Sequence, residues 1–262
     1  MIRIDFSGVP TEGLSRAKEV EAAFDGFTRE GYVILDNIVP ADTIGSLHEE
    51  FLIRYRDQIR DMETPESLEV GARRFMIPLH FSGGLGAEQV YANPYVIALV
   101  RMILDDEAII DAFGAILSLS GAEEQHIHHD GPILFNSQIS RLLPAYAMTF
   151  ALPLVEMNET SGTTALWPGS HRRGEHEGAE PDRPTIPLGS GVMWDFRTYH
   201  SGMANRSDQV RPMVYATYAR RWYQDPVNFR KETLPRLVFE PGFLGSVPEE
   251  ARKLFAHVRS AA

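Results

Sequence analysis

Between about Ala112 and Tyr223 the chain is a succession of short apolar segments, each closed by turn chemistry, and this restricts its fold more than any other feature. The segments AFGAILSLSG, YAMTFALPLV, TTALWPGS, GVMWDFRTYH and PMVYATYARRW are separated by ETSG, GSG and NRSD. Their β-branched and aromatic residues suit a pleated surface, and the Gly, Asn, Ser and Asp between them suit turns. Even spacing of this kind argues a β-sandwich or barrel with helices packed outside it.

From about Ser15 to Asp111 the patterning is mostly helical. Ile44, Leu47, Phe51, Tyr55 and Ile59 recur at three- and four-residue steps after Pro40 and Asp42, which suit a helix start. GYVILDNIV, just before them, reads as a strand. Ser246, Val247, Pro248 and Glu249 form a capping-box signature for a last short helix over 246–258. No repeat, linker or low-complexity tract divides the chain, and 44% apolar residues are enough for one core. The expectation is a single domain over 1–262: a helix-rich part at 15–111, a β core at about 112–223, and a C-terminal tail.

Lys and Arg total 25 against 36 Asp and Glu, a formal charge of -11 that repels phosphate backbones and anionic lipid alike. The partner expected is a small-molecule substrate, with no nucleic acid and no membrane, for a monomer or homodimer. There is no cysteine, so a transition metal would be held by His and carboxylates. The longest apolar run, YVIALV, stops at Arg101, and MIRIDFSG places an acid where a signal peptide is basic and then apolar. The expected location is cytoplasmic.

QHIHHDG, Gln125–Gly131, places three of the chain's nine histidines beside an aspartate. In an extended strand, residues i and i+2 share a face about 6.6 Å apart, so their side chains can converge on one ion. His126, His128 and Asp130 share such a face. His126 and Asp130, however, are about 13 Å apart along a straight strand, too far for one ion. The ion takes His126 with His128 or His128 with Asp130, and spacing alone does not choose. Two histidines and one carboxylate on one face of an octahedral ion, with three positions open, is the arrangement of non-haem Fe(II) oxygenases. That chemistry favours His128 with Asp130 and calls for a distant histidine.

DFRTYHSGMANRSDQVRP, Asp195–Pro212, offers one in His200. A hairpin turning near Arg206 would place Arg211 almost opposite His200, with Cβ atoms about 5 Å apart. A guanidinium grips a carboxylate through two parallel hydrogen bonds, so Arg211 beside a metal ligand points to a carboxylate co-substrate lying between them. Asp195 points to the opposite face by strand parity and stays outside the ligand set.

From about Phe24 to Tyr218 the chain resembles the phytanoyl-CoA dioxygenase family of Fe(II)- and 2-oxoglutarate-dependent oxygenases. FTREGYVILDNIVPADTIGSLHEEF resembles its opening strand and helix, QHIHHD its Q-x-x-H-x-D segment, and SGTTALWPGSH its G-x-x-x-x-x-PGSH strand and turn. HSGMANRSDQVR carries the distal histidine and, eleven positions later, an arginine at the family's spacing. The resemblance implies a double-stranded β-helix, a jelly-roll or cupin-like squashed barrel buttressed by the N-terminal helices. It implies His128, Asp130 and His200 as the iron ligands and catalytic centre, and Arg211 on the far carboxylate of 2-oxoglutarate. Gln125 matches the motif glutamine and is expected to border the co-substrate. On YAMTFAL, Thr149 is the polar member of the small alternate residues and is expected to donate a hydrogen bond to 2-oxoglutarate. The reaction implied consumes O2, with ascorbate as auxiliary reductant, yields succinate and CO2, and hydroxylates an unactivated C–H bond of a small metabolite. Related halogenases carry a small residue where Asp130 stands, which argues against halogenation. One departure is Gly189-Ser190, where the family often has Gly-Asp.

Two further readings use the same residues. A 2-oxoglutarate-independent, cupin-like metal dioxygenase would employ His126, His128 and His200 and would not need Arg211. A non-catalytic barrel would bind metal and a small ligand without turnover. Among other conspicuous residues, His171 in PGSHRRG is expected to be structural or exposed, and Trp167 and Trp194 to be core. ARRFMIPLHF and RRWY flank the barrel in sequence and are candidates to line the substrate mouth, with solvated charge and packed aromatics the expectation for most of their residues.

Overall fold

The computed structural model describes residues 1–60, 67–132, 134–135, 138–226, 228 and 235–258. Its strands are β1 Arg3–Asp5, β2 Tyr32–Asp36, β3 Leu68–Gly71, β4 Arg74–Pro78, β5 His80–Phe81, β6 Ile109–Ser118, β7 Ala147–Pro153, β8 Thr164–Leu166, β9 Gly191–Asp195, β10 His200–Gly202, β11 Arg211–Ala219 and β12 Val238–Phe239. Eight of them form one sheet in the order β1-β2-β9-β7-β11-β6-β4-β3, antiparallel except at β1–β2. β8 and β10 form a small antiparallel pair, and β5 runs parallel to β12. The fold is a double-stranded β-helix, with the small pair set apart from the large sheet.

β11 shows how the two faces of the large sheet divide the work. All nine of its residues are buried, so no polar alternation is visible along it. Val214, Ala216 and Tyr218 join the main core, whereas Arg211, Met213, Tyr215 and Thr217 line a cavity. The same core takes Val20, Ala23 and Phe27 from the helix Lys18–Glu30, and Ile44, Leu47 and Phe51 from Ala41–Arg54. Val96, Leu99 and Val100 of Pro94–Ile103 complete it. The helices thus buttress one face of the sheet and leave the other for the site.

The first helix ends at Gly31, whose φ of +83° favours glycine. A Cβ there would lie 2.5 Å from both His171 Nδ1 and Thr198 Oγ1. His171 is accordingly buried against the helix end, its Nε2 3.3 Å from the Thr28 carbonyl, a structural place for the PGSH histidine.

Three features differ from the sequence reading. β3 and β4 lie within the stretch that reads as helical and extend the large sheet beyond β6. The hairpin expected at Arg206 is absent: β10 pairs with β8, and Arg211 lies opposite Ser118 of β6 instead of opposite His200. Asn205 is the physical reason. Its amide donates to the carbonyls of Ser118 (3.0 Å) and Gln209 (2.8 Å). Its backbone bonds to Gly121 and Ala122, both at 2.9 Å. These bonds draw the segment across from the small sheet to the edge of β6. Near the C-terminus the expected capping box does not form: Ser246 ends a short helix, Phe243–Ser246, with its hydroxyl donating to the Phe243 carbonyl at 2.8 Å, and a separate 3-10 helix, Glu249–Phe255, packs Ala251, Leu254 and Phe255 into the core without a side-chain cap.

Candidate metal centre and anion site

His128 and His200 face each other as an isolated antiparallel bridge, with N–H···O bonds of 3.0 and 2.8 Å in the two directions. Directly opposed residues bring their side chains together, and the ring centroids are 4.4 Å apart. His128 Nδ1 lies 2.9 Å from the His126 carbonyl, and His200 Nδ1 lies 3.0 Å from that of Thr198. With both Nδ1–H groups donating to backbone, both Nε2 lone pairs are free for a metal. Burial pushes the His128 ring below its ordinary pKa, as does the neighbouring His200, while Asp130 partly opposes them. The neutral ring is the form that ligates.

Asp130 stands just beyond the bridge, outside any strand. Its Oδ1 is 3.5 Å from His200 Nε2. Its Oδ2 accepts from Trp194 Nε1 at 2.8 Å and from Thr149 Oγ1 at 3.2 Å. Ligand atoms of His128, Asp130 and His200 all lie within 4.8 Å of one another, a separation one ion can span.

These residues edge a cavity of about 370 Å³ whose far end is cationic. Arg211 and Arg74 flank Ser118 in register across β11, β6 and β4, and each is 1% exposed. Arg211 Nη2 donates to Ser118 Oγ at 2.7 Å, while Nη1 meets, among the described residues, the Met157 sulfur alone at 3.5 Å. Arg74 donates to the carbonyls of Met203 (2.8 Å) and Glu123 (3.0 Å). Both Nε groups are buried without a partner, and no carboxylate pairs with either guanidinium among the described residues. Burial, then the adjacent Arg74 charge, pulls the Arg211 pKa down to about 9, and burial takes Arg74 to about 10. A buried cation without its anion is costly, so this end of the cavity is electrostatically incomplete until an anion enters.

The structure therefore brings His128, Asp130 and His200 together and places Arg211 in the same cavity. It reaches that convergence from two different sheets, not across a hairpin. Gln125 lines the cavity, donating to the Val70 carbonyl at 2.7 Å and accepting from Gly202 N at 3.2 Å. Thr149 lines it as well, but its hydroxyl is directed to Asp130. His126 is exposed and outside the cluster, and Asp195 is tied to Arg197 at 2.6 Å. Two residues escaped the sequence reading. Trp194 is a core residue that also touches Asp130; an indole N–H in a β core needs an acceptor, and that requirement was the available signal. Arg74 is buried rather than solvated, and its position in the apolar run Arg74–Pro78 was the signal for it.

Fold and residue grouping together have the arrangement found in non-haem iron- and 2-oxoglutarate-dependent dioxygenases. The phytanoyl-CoA dioxygenase (PhyH) family profile matches residues 27–213, and the chain belongs to that family. It is 25% identical over 134 residues to dioxygenase af480 of Aspergillus fumigatus, covering 48% of this chain and 42% of that protein, so the match spans less than half of that relative. It is 24% identical over 215 residues to dioxygenase olcK of Penicillium canescens, covering 75% and 70%. SnoN, a non-haem α-ketoglutarate-dependent epimerase from nogalamycin biosynthesis, superposes with a TM-score of 0.60 at 18% identity over 85% of this chain and 96% of its own. HygX from Streptomyces hygroscopicus, solved with nickel and 2-oxoglutarate, gives 0.59 at 10% identity over 78% and 88%. At these identities the likeness is one of fold. Among the described residues no helix is long and apolar enough to cross a membrane.

Proposed function

We propose that the protein hydroxylates an unactivated C–H bond of a small, largely apolar organic molecule, with iron held by His128, Asp130 and His200 and 2-oxoglutarate anchored by Arg211. The observation that carries this reading is the presence, in one cavity, of a three-ligand cluster and a buried guanidinium that lacks an anion. Bound iron and 2-oxoglutarate supply the oxidising chemistry, in which O2 is consumed and 2-oxoglutarate becomes succinate and CO2.

The chain's own residues bind and orient. Arg211 offers its fork to the distal carboxylate, with Ser118 beside it, and Arg74 raises the positive potential there. Gln125 helps keep Arg74 in place, its Oε1 3.4 Å from Nη1. In this reading Thr149 acts on Asp130 and not on the co-substrate. Leu68, Val70, Met76, Ile116, Met213 and Phe196 give the rest of the cavity an apolar lining that keeps water out and suits a hydrocarbon body. A ligand set using His126 in place of Asp130 has no support in this geometry, because His126 is exposed.

The test has two stages. Protein given Fe(II), ascorbate, 2-oxoglutarate and air should release succinate above an iron-only background, and Asp130→Ala should fall to that background. A folded protein that takes up iron yet releases no succinate and shows no anaerobic charge-transfer band with 2-oxoglutarate is a ligand-binding barrel. Incubation with pooled small metabolites should then yield a product one oxygen atom heavier for each succinate. A product of unchanged mass, or one lacking two hydrogens, sinks hydroxylation while leaving the cofactor assignment standing.

A further inference from the structure

We infer that Trp194, assisted by Thr149, is a positioning residue for the metal: it holds Asp130 so that Oδ1 alone faces the ion. The inference rests on the reading of His128, Asp130 and His200 as metal ligands. Trp194 and Thr149 are register partners on β9 and β7, and both line the cavity. Indole and hydroxyl therefore approach Asp130 from the same sheet, and both end on Oδ2, at 2.8 and 3.2 Å. The other oxygen, Oδ1, is the one directed at His200 Nε2.

Asp130 needs such an anchor more than the histidines do. His128 and His200 are fixed by their mutual backbone bridge and by carbonyls at Nδ1. Asp130 lies outside any strand, so no ladder sets the direction of its carboxylate. The indole N–H is a donor with no second role, and Trp194 is 4% exposed, so the bond to Oδ2 also spares a bare buried donor. The indole ring packs against the His200 ring as well, with centroids 5.1 Å apart. One side chain thus touches two of the three ligands. A carboxylate with one oxygen engaged by two donors offers the metal the other oxygen. Released, it can turn and chelate through both, and a position needed by 2-oxoglutarate or O2 is closed.

Co(II) provides readouts that do not depend on turnover: competition with a chelating dye gives affinity, and the visible d–d band reports coordination. Trp194→Phe keeps an aromatic ring and removes the N–H. It should weaken Co(II) binding roughly 10- to 100-fold, the range for losing a hydrogen bond to a metal ligand, and should alter the band. Thr149→Val removes the longer bond and should give a smaller change of the same kind. If Trp194→Phe does not fold, Thr149→Val decides by the same two readouts. A merely structural indole would lower the melting temperature of the metal-free protein and leave affinity and band untouched in the folded fraction. That outcome, with wild-type Co(II) behaviour in the folded variants, overturns the inference alone. A wild-type chain that takes up no Co(II) overturns the metal centre and the inference together.

Discussion

The two ends of the cavity are built on opposite principles. At the metal end, His128 and Asp130 come from irregular chain whose one β-bridge, His128–His200, is flanked by lone backbone bonds from Gln125 to Gly202 and from Gly131 to Phe196, and the Asp130 side chain is 20% exposed. At the cationic end, Arg211, Ser118 and Arg74 occupy facing positions on three adjacent strands and are sealed from solvent. Coordination bonds are strong and short-ranged, so a metal can organise ligands delivered by irregular chain, provided each ligand is oriented by a neighbour. An ion pair with a carboxylate depends on the exclusion of water, because its strength scales inversely with the local dielectric. It therefore needs the dry interior of a large sheet.

If the two ends are distinct in this way, their variants should separate. The largest effect belongs to the ligands: His128→Ala, Asp130→Ala and His200→Ala should each abolish succinate formation and metal uptake, checked by succinate assay and by Co(II) titration. Arg211→Ala comes next. It should leave the metal bound and raise the 2-oxoglutarate requirement by roughly thirtyfold or more, corresponding to about 2–5 kcal/mol for an unpaired buried carboxylate. Lysine should rescue it only in part, since an ammonium cannot reproduce the fork. Loss of metal in Arg211→Ala would erase the distinction, and an unchanged 2-oxoglutarate dependence would remove the main support for the co-substrate.

A milder probe of the cationic end is Gly202→Ala. Its Cβ would lie 1.9 Å from Arg74 Nη1 and 2.5 Å from Gln125 Oε1, so Arg74 must move although two carbonyls hold it. Overpacking of this size costs about 1–3 kcal/mol. Binding of 2-oxoglutarate, followed by the anaerobic charge-transfer band, should weaken several-fold at unchanged Co(II) affinity. Equal loss at both ends would mean that Arg74 supports the whole cavity.

Legibility in the sequence followed the same division. The strands of the core were readable because their turns are marked by Gly, Asn and Ser, whereas the grouping of His128, Asp130 and His200 was readable from the order of motifs shared with the family, since spacing alone left His126 with His128 open. β3 and β4 were not readable. β4 is apolar on both faces, with Arg74 charged yet buried, so period-2 alternation is missing there, and β3, with Glu69 exposed, is only four residues long and too short to carry a pattern. The route to Arg211 was misread for a different reason. NRSD carries ordinary turn chemistry, and nothing local tells that Asn205 bonds across to Ser118, 87 residues away. Trp194 was identified as core, which holds, but its N–H reaches Asp130 through a contact 64 residues apart that no strand pattern encodes.

The smallest expected effect is also the sharpest check on which residues form the metal end. His126 shares a strand face with His128 in the sequence, and its ring centroid lies 5.2 Å from that of His128. Its side chain is nevertheless exposed, and its contribution to the site comes through the backbone carbonyl that receives His128 Nδ1. His126→Ala keeps that carbonyl. Exposed substitutions of this sort fall within about 0.5 kcal/mol, so Co(II) affinity should change by no more than roughly twofold, and uncoupled succinate release should persist. If His126→Ala instead loses the metal while Asp130→Ala retains it, the ion belongs to a three-histidine set. The carboxylate would then be a bystander, and the oriented, monodentate metal end described above would have to be abandoned in favour of a cupin-like centre.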